Sequence, residues 1–432
     1  GKRKINVDLL LKLTNELGIQ ISDISKKTDT NLYQNTMDLL GDNLFEDLDI
    51  TNFEIKELVN TNPLIAKALI KLGDNYKQKS QDIVNKVENI SSKFIDNRKN
   101  SFPGEVVSDF IQENENYFPK LESFANELFS KIQTNNRTRY LSICEYLFKK
   151  HKIEVKDVVP DEEKPFTKKF EPAKKLFLLS DYLSPETKKL HAAAQIAQLE
   201  ANNIIDEYLD TFSFPSKESR KLSKVALLNY TGAAIIMPYK LFYEECKKQR
   251  YDLELLQNTF ATSFEQVAHR ITCLQDPKMK GIPFHMVRVD IAGNISKRFS
   301  MSGIEIPRYG GACPRWNIYS AFASPNKIHA AVSKMTNGEK YVCIAKTVEK
   351  GIGKHGNFRS LLSIGLGMQS KYAKDFVYAD SLNLHDKKSE IPIGVNCRTC
   401  DLMDCTQRAF PPLHKKFDVD LNVRGVSVYV KD

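Results

Sequence analysis

The sequence predicts an α+β protein whose N-terminal half is mostly helical and whose C-terminal third holds an antiparallel sheet with helices. Apolar residues recur at spacings of three and four over residues 52–150 and 184–275, which is the period of amphipathic helices. After Pro283 apolar and polar residues alternate instead, as they do in half-buried strands. Neither pattern contains an internal repeat, so a repeat architecture is not indicated.

The composition limits the classes of protein to which the chain can belong. Its 432 residues, 41% of them hydrophobic, allow two or three domains with their own cores. No apolar run approaches the ~18 residues of a membrane-spanning helix, and we expect neither a membrane span nor a secretory signal. Eight cysteines, three of them close together, are typical of thiols in a reducing compartment, so a cytoplasmic location is expected. The net charge of +9 permits an anionic partner, nucleic acid or a phosphorylated ligand, without choosing between them.

The first helical region begins with an amphipathic helix. Asn6 is placed to cap its start and Gly18 to end it, and a leucine stripe runs between them. Residues 52–150 are interpreted as a helical linker domain that also offers a dimerisation surface. Segment 158–175 is charged and contains several prolines, which predicts a domain boundary.

The second helical region begins at Ser184, a predicted N-cap that Pro185 follows in the first turn. A long buried helix within it is expected to end near Pro238. Four later stretches alternate like strands. They are FHMVRVDIAGNISKRFS (284–300, with a turn at Ala-Gly-Asn), EKYVCIAKTV (339–348), KDFVYADSL (374–382) and RGVSVYVKD (424–432).

Several motifs that signal catalysis in other proteins are incomplete in this one. GIGKHG at 351–356 matches the dinucleotide-binding pattern, but that pattern must open a long helix in a βαβ unit, so a loop is predicted. Lys354 and His355 in that loop remain candidates for a phosphate contact. No histidine is followed by glutamate, which excludes the zinc-peptidase motif HExxH. His191 and the lone thiol of Cys313 are interpreted as structural.

Cys397, Cys400 and Cys405 form a C-x2-C-x4-C motif that is harder to dismiss. Asp401 and Asp404 lie between them, which argues against a dry core segment. An iron–sulfur cluster tolerates three thiolates, whereas structural zinc requires four ligands, and His414 is the only later candidate for the fourth. The residues alone therefore leave cluster, zinc and plain structural cysteines as alternatives, in that order.

Three long stretches resemble a known family. ALLNYTGAAIIMPYKLFYEECKKQRYDLELLQNTFATSFEQVAHRITCLQ is similar to the core of the IrrE-like domain in bacterial short-chain fatty-acyl-responsive transcriptional regulators. GIPFHMVRVDIAGNISKRFSMSGIEIPRYGGACPRWNIYSAFASP and CRTCDLMDCTQRAFPPLH are similar to signature stretches of the same family. The resemblance covers residues 180–415 most strongly. It implies a regulator of short-chain fatty acid metabolism, such as the acetate, propionate, glyoxylate or methylcitrate pathways, and not an enzyme.

The family's plan implies four regions. Residues 1–30 are the C-terminal remnant of a phage-repressor-type helix-turn-helix that binds a double-stranded DNA operator, and its recognition helix is expected upstream of Gly1. Residues 31–157 are a helical linker or dimerisation domain in a homodimer or higher homo-oligomer. Residues 176–280 are an IrrE-like pseudo-peptidase domain, in which residues 194–198, Ala-Gln-Ile-Ala-Gln, replace HExxH. Residues 281–432 are an α+β acyl-CoA-sensing domain with a GAF-like ligand-binding region.

The resemblance also implies two ligands: a [4Fe-4S] cluster on the three cysteines, and a short-chain acyl-CoA such as acetyl- or propionyl-CoA. Coenzyme A carries several phosphates, so its pocket requires cations and accessible backbone amides. The stretch around 288–316 supplies both, although a solvated charged face is the alternative. Its candidate residues are Arg288, Lys297, Arg298, Arg308, Tyr309, Gly310, Gly311, Arg315 and Trp316.

Three hypotheses follow. The first is a DNA-binding regulator whose DNA affinity is set by an acyl-CoA bound beside the cluster, through linkage. The second is a CoA-dependent or metal-dependent hydrolase, which would cleave the thioester that a sensor leaves intact. The third is a redox sensor in which the cluster alone is the signal.

Overall fold

The computed structural model describes residues 30–40, 50–73, 103–132, 138–161, 165–307, 311–351, 359–384 and 386–411. The chain divides into two compact units, one with Gly1–Ile95 and Cys397–Asp432 and the other with Asp96–Asn396. The predicted helix at Asn6–Gly18, the predicted strand at 424–432 and most of the GIGKHG loop lie outside the described residues.

The first unit contains α1 (Thr30–Leu40), α2 (Asn52–Thr61) and a helical stretch at 63–73. Thr51 and Glu54 form a capping box, since each side chain bonds the other's backbone N–H at the start of α2. Leu32, Val59 and Ala66 form the buried contact between these helices. The Asn52 Nδ2 atom donates to Asp401 Oδ1 at 3.1 Å, so α2 also contacts the cysteine segment, residues 397–411.

The second unit begins with helices. Ser184 caps α6 through a bond from the Thr187 N–H, and α8 ends just before Pro238, as predicted. Gly232 of α8 faces α6 so closely that a Cβ there would lie 2.9 Å from the Ala194 backbone nitrogen. Before its large sheet, the described residues of this unit form α3 (Pro103–Glu113), α4 (Pro119–Lys131), α5 (Arg139–His151), α6 (Pro185–Glu200), α7 (Asn202–Asp210), α8 (Lys217–Ile236), α9 (Tyr239–Lys248), α10 (Leu253–Phe260) and α11 (Phe264–Thr272).

A small sheet lies between α5 and α6. It contains β1 (Glu154–Val158), β2 (Lys168–Glu171) and β3 (Leu176–Ser180) in the order β1-β3-β2, with β1 parallel and β2 antiparallel to β3. Segment 158–175, predicted to be a domain boundary, contains strand β2. Strands β1 and β2 have four or five residues, most of them charged, and so give too short an alternation to recognise.

The large sheet has six strands in the order β5-β4-β8-β7-β6-β9. All neighbours are antiparallel except β6 and β9, which are parallel. The predicted hairpin at 284–300 and the predicted strand at 339–348 are confirmed. The strands are β4 (Phe284–Asp290), β5 (Ile295–Ser300), β6 (His329–Met335), β7 (Lys340–Lys350), β8 (Ser360–Gln369) and β9 (Glu390–Ile393).

The strand predicted at 374–382 is absent, and 3₁₀ turns take its place at Ser370–Asp375 and Val377–Ala379. Ala373, Phe376 and Ala379 are the buried residues of this segment. Their spacing of three is the 3₁₀ period, which the alternation of FVYA had obscured.

The two faces of the large sheet pack against different partners. One face, with Phe284, Met286 and Ile344, joins the core built by the helices. The opposite face, with Val287 and Val289, packs under a segment that includes α12 (Asn317–Ser320) and Trp316. Within the described residues no individual helix has the length and apolar character needed to cross a membrane, although α8 and α9 together meet both criteria, with a 66° bend between them.

Candidate functional site

A cavity lies on the face of the large sheet that the Trp316 segment covers. Its accessible volume is about 20 Å³, room for about one or two water-sized groups and far below the roughly 300–1,000 Å³ of a whole ligand pocket. Most of its walls are apolar, with a few polar atoms among them. Its lining includes His285, Val287, Ile304, Trp316, Cys343 and Ile393.

The polar side of this cavity is a row of three residues on adjacent strands. His285 of β4 and Cys343 of β7 both pair with Gly367 of β8 between them. A Cβ at Gly367 would lie within 2.7 Å of both side chains, so only glycine leaves room for them. The His285 Nδ1 atom lies 2.8 Å from Ser302 Oγ, and Nε2 lies 3.7 Å from the Cys343 sulfur.

Burial keeps the imidazole and the thiol of this row uncharged. It lowers the pKa of His285 to about 3 and raises the pKa of Cys343 to about 12. A thiol becomes a nucleophile as its thiolate, which a neutral imidazole of such low basicity does not generate. The row is therefore suited to hydrogen bonding and not to nucleophilic catalysis.

The segment over the cavity is held by the end of β9. The Cys313 N–H donates to the Val395 carbonyl at 2.9 Å, and the Trp316 Nε1–H donates to the Gly394 carbonyl at 3.0 Å. Cys313 is buried in the core on this face, in keeping with a structural role. Gly394 and Val395 come just before Cys397 in the sequence.

The predicted cations that lie in the described residues do not meet in one pocket. Arg288 and Lys297 lie on the helix-covered face, where both contact the Glu265 carboxylate, at 2.7 and 3.1 Å. Lys350 contacts the same carboxylate and was missed, because nothing in the sequence links it to a residue 85 positions earlier. Burial alone would raise the pKa of Glu265, but the three cations hold it well below its usual range.

The remaining predicted residues lie elsewhere. Arg298 pairs with Glu105 of α3 at 2.5 Å and lies 3.7 Å from Asp109. Trp316 is buried and lines the cavity, and Arg315, its neighbour in the sequence, is half-buried. Gly311 is exposed with open space where a Cβ would be. Arg308, Tyr309 and Gly310 lie outside the described residues.

Helix α6 carries the residues that replace the peptidase motif. Gln195 is fully buried, its Nε2 atom has no hydrogen-bond partner, and Gln198 is exposed. Neither amide can act as a general base or replace an imidazole ligand. Across the described parts of the chain, no group of three or more His, Cys, Asp or Glu side chains is arranged to hold a metal.

The cysteine segment is organised by Arg408. Its guanidinium is buried and donates to the carbonyls of Cys397, Cys400 and Leu402 at 2.6, 2.8 and 2.7 Å. The Ala409 N–H points at the Cys397 sulfur at 3.4 Å, and none of the eight cysteines, all of which lie in the described residues, forms a disulfide. Three thiols suit a soft metal or cluster chemically, although their side chains do not converge as a ligand group in this conformation. His414, the candidate fourth ligand, lies outside the described residues.

Comparison with known proteins agrees with this architecture. Residues 273–429 match the family model described as short-chain fatty acyl coenzyme A regulator, C-terminal, and residues 149–272 match the IrrE N-terminal-like domain. The latter match includes the β1–β3 sheet.

Several relatives match along nearly the whole chain. The HTH-type transcriptional regulator RamB of Mycobacterium tuberculosis is 32% identical over 99% of this chain and 90% of its own length. The propionyl-CoA carboxylase regulator of Cereibacter sphaeroides is 31% identical over 99% and 90%. A solved Mycobacterium tuberculosis transcriptional regulator, 32% identical, superposes with a TM-score of 0.72 over 77% of this chain and 100% of its own. The chain therefore belongs to the short-chain fatty acyl coenzyme A regulator family and is a transcriptional regulator, not an enzyme.

Proposed function

We propose that this regulator binds a short-chain acyl-CoA in its second unit, and that the bound ligand changes its affinity for an operator in double-stranded DNA. The observation that carries the proposal is the cavity beneath Trp316. It is small and mostly apolar with few polar groups, which suits the short acyl end of such a thioester. The names of the relatives and of the matching family support the same ligand class and DNA binding.

The predicted ligand residues divide into two sets under this proposal. Trp316 lines the cavity and Arg315 precedes it in the sequence. Together with Arg308, Tyr309, Gly310 and Gly311 they are the proposed contacts for the coenzyme A moiety. Arg288 and Lys297 neutralise the charge of the Glu265 carboxylate, and Arg298 neutralises that of Glu105. We assign these three cations to holding helices α11 and α3 on the sheet, because a phosphate would have to displace a carboxylate from each.

The cysteine segment is the proposed site of a [4Fe-4S] cluster, with zinc as the alternative. Cys397, Cys400 and Cys405 would supply the thiolates, and Arg408 would hold the loop through its carbonyls. Such a cluster supplies sensitivity to oxygen and redox state when it is bound. The bond between Asn52 and Asp401 ties this segment to α2, in the unit that carries the N-terminal end of the chain.

The mechanism is linkage between two binding equilibria. A ligand shifts the DNA-binding equilibrium only by the difference between its affinities for the two conformations. Chain continuity offers the connection, because β9 lines the cavity through Ile393 and leads within four residues to Cys397. We further propose a cytoplasmic homodimer or higher homo-oligomer, as for a regulator that binds a symmetric operator.

The test is an anaerobic titration of the full-length protein. Operator affinity is measured with acetyl-CoA, propionyl-CoA and CoA, before and after exposure to air. A change in operator affinity with acyl-CoA, at constant cluster content, is the expected result. A response to air alone, with acyl-CoA without effect, would favour the redox-sensor alternative, while consumption of the thioester would favour the hydrolase.

A further inference from the structure

Two glycines on strand β8 shape the cavity. Gly365 and Gly367 both point to the face covered by the Trp316 segment, since they are two residues apart on one strand. A Cβ at Gly365 would lie 3.0 Å from Ile318, and one at Gly367 would overlap His285 and Cys343. The side chains of the flanking strands therefore reach over β8, and the imidazole becomes part of the cavity wall.

Of three hydrogen-bond donors in the cavity wall, the Nε2 atom of His285 differs from the others because it has no strong acceptor among the described residues. The Trp316 Nε1–H is bonded to Gly394, and the Asn317 side-chain nitrogen is bonded to the carbonyls of His329 and Cys343. Ser302 lies at hydrogen-bond distance from the Nδ1 atom of His285. When the Ser302 hydroxyl donates to Nδ1, the proton of the neutral ring is on Nε2. Within the described part of the chain, the hydrogen-bonding neighbour of that N–H is the Cys343 sulfur at 3.7 Å, which is a weak acceptor.

We propose that His285 recognises the acyl thioester. Its Nε2–H donates a hydrogen bond to the thioester carbonyl, and the acyl chain enters the cavity beside Val287. This rests on the proposed function, because it assigns the acyl end of the acyl-CoA proposed there. The imidazole distinguishes acyl-CoA from free CoA, which has no carbonyl at that position. The walls limit the length of the chain.

Paired substitutions at position 285 test the donor. His285→Phe keeps a ring but removes the N–H, while His285→Gln keeps an amide N–H at a similar reach. We expect His285→Phe to reduce the preference for propionyl-CoA over CoA by about tenfold, the effect of one lost hydrogen bond. His285→Gln should restore most of that preference. CoA affinity, which depends on contacts outside the cavity, should stay within about threefold in both.

Matched substitutions on β4 test the acyl pocket. Val287 and Val289 are buried on the same face of the same strand, but only Val287 is among the residues lining the cavity. Val287→Leu should weaken propionyl-CoA relative to CoA by about tenfold, since a methylene in a fitted apolar pocket is worth that much. Val289→Leu is the control and should leave the ratio unchanged.

The outcomes separate this inference from the proposed function. Calorimetric titration with acetyl-CoA, propionyl-CoA and CoA is performed on each variant, after circular dichroism has shown that it is folded. Equal wild-type affinity for propionyl-CoA and CoA would overturn the reading of the thioester by His285 and leave CoA binding intact. Binding of none of the three would overturn the proposed ligand as well. An unchanged ratio in folded His285→Phe and Val287→Leu variants would place the acyl chain elsewhere.

Discussion

Arg298 on β5 and Glu105 on α3 form an ion pair, with the guanidinium Nη2 atom 2.5 Å and the Nε atom 3.2 Å from the same carboxylate oxygen. Both side chains are more than four-fifths buried, so the pair is shielded from water more than a surface salt bridge is. The sequence alone had suggested that Arg298 binds a phosphate. Because Arg298 pairs with a carboxylate, its replacement should affect the stability of the protein and not its affinity for the ligand.

Arg298→Ala should lower stability and leave CoA binding nearly unchanged. The substitution leaves Glu105 without this cation, which costs about 1.5–3 kcal/mol for a charge-assisted hydrogen bond. Arg315→Ala is the comparison, because Arg315 adjoins Trp316 at the cavity. For that variant we expect a ten- to hundredfold loss of propionyl-CoA affinity. The measurements are urea denaturation and calorimetric titration of both variants. If Arg298→Ala loses propionyl-CoA affinity and keeps its stability, Arg298 binds the ligand after all.

Cys400→Ser should abolish the metal content of anaerobically purified protein. An alkoxyl oxygen is a poor ligand for iron compared with a thiolate, and Cys400 is buried in the loop that Arg408 holds. The natural protein should be brown, with iron and acid-labile sulfide. Cys144→Ser, in helix α5, is the control and should retain colour. Stoichiometric zinc without sulfide in the natural protein would contradict the cluster.

The sequence predicted those parts of the fold in which apolar residues recur with one clear period, that of a helix or that of a strand. The 284–300 hairpin alternates cleanly and turns at Gly293, whose φ of +88° favours glycine. Strand β8 was missed because its SIGLG segment contains two glycines and few of the β-branched residues that favour strands. The reason for these glycines is non-local, because His285 and Cys343 occupy the space of a side chain at Gly367.

Little of the candidate site was predictable, because Trp316 is the one predicted ligand residue among the described residues that line the cavity. Cations suited to an anionic ligand could be identified around residues 288–316. Their carboxylate partners, Glu105 and Glu265, come from helices far away in the sequence, and only packing brings them together. Adjacent residues of a strand also point to opposite faces, so a run of cations such as Lys297 and Arg298 cannot all enter one pocket.

His285 should make the second unit sensitive to acid. Its pKa is lowered to about 3 in the folded protein, whereas an unfolded histidine titrates near 6.5. Below about pH 6.5 the unfolded chain therefore binds a proton that the folded chain does not, and stability falls as the pH decreases towards 3. The contribution is at most about 1.4 kcal/mol per pH unit. Urea denaturation at pH 7.5 and 5 should show a smaller difference in His285→Gln than in the natural protein. An equal difference would mean that the imidazole is protonated in the folded state.

Glu122→Gln should destabilise the second unit far more than a matched surface substitution. Arg270 donates to both oxygens of Glu122, at 2.5 and 2.8 Å, and both side chains are buried. Removing one partner of such a pair leaves a buried charge uncompensated, which costs about 3–5 kcal/mol. The control is Glu207→Gln, because Glu207 pairs with Lys120 near the same helix but both are exposed. Similar thermal midpoints for the two variants would show that the buried pair is not required for stability.

Trp316→Phe should separate ligand binding from its effect on the cysteine segment. The substitution keeps an aromatic wall for the cavity but removes the N–H that is bonded to the Gly394 carbonyl, three residues before Cys397. Propionyl-CoA should therefore still bind within about threefold of the wild-type affinity. In the natural chain we expect the ligand to change the rate at which Cys397, Cys400 and Cys405 react with an alkylating reagent, measured by peptide mapping.

In Trp316→Phe the same ligand should leave that rate unchanged, because the cavity is no longer tied to the end of β9 through this bond. Cys144, which lies in helix α5, gives an internal control for the reagent in every sample. The variant still has the hydrogen bond from the Cys313 N–H to the Val395 carbonyl, which is a second connection between the cavity and the end of β9. If it suffices to transmit the change, the variant will respond like the natural chain and the role of the indole N–H in coupling is refuted. Loss of both binding and response would instead show that the ligand needs the indole N–H itself, and not only an aromatic wall.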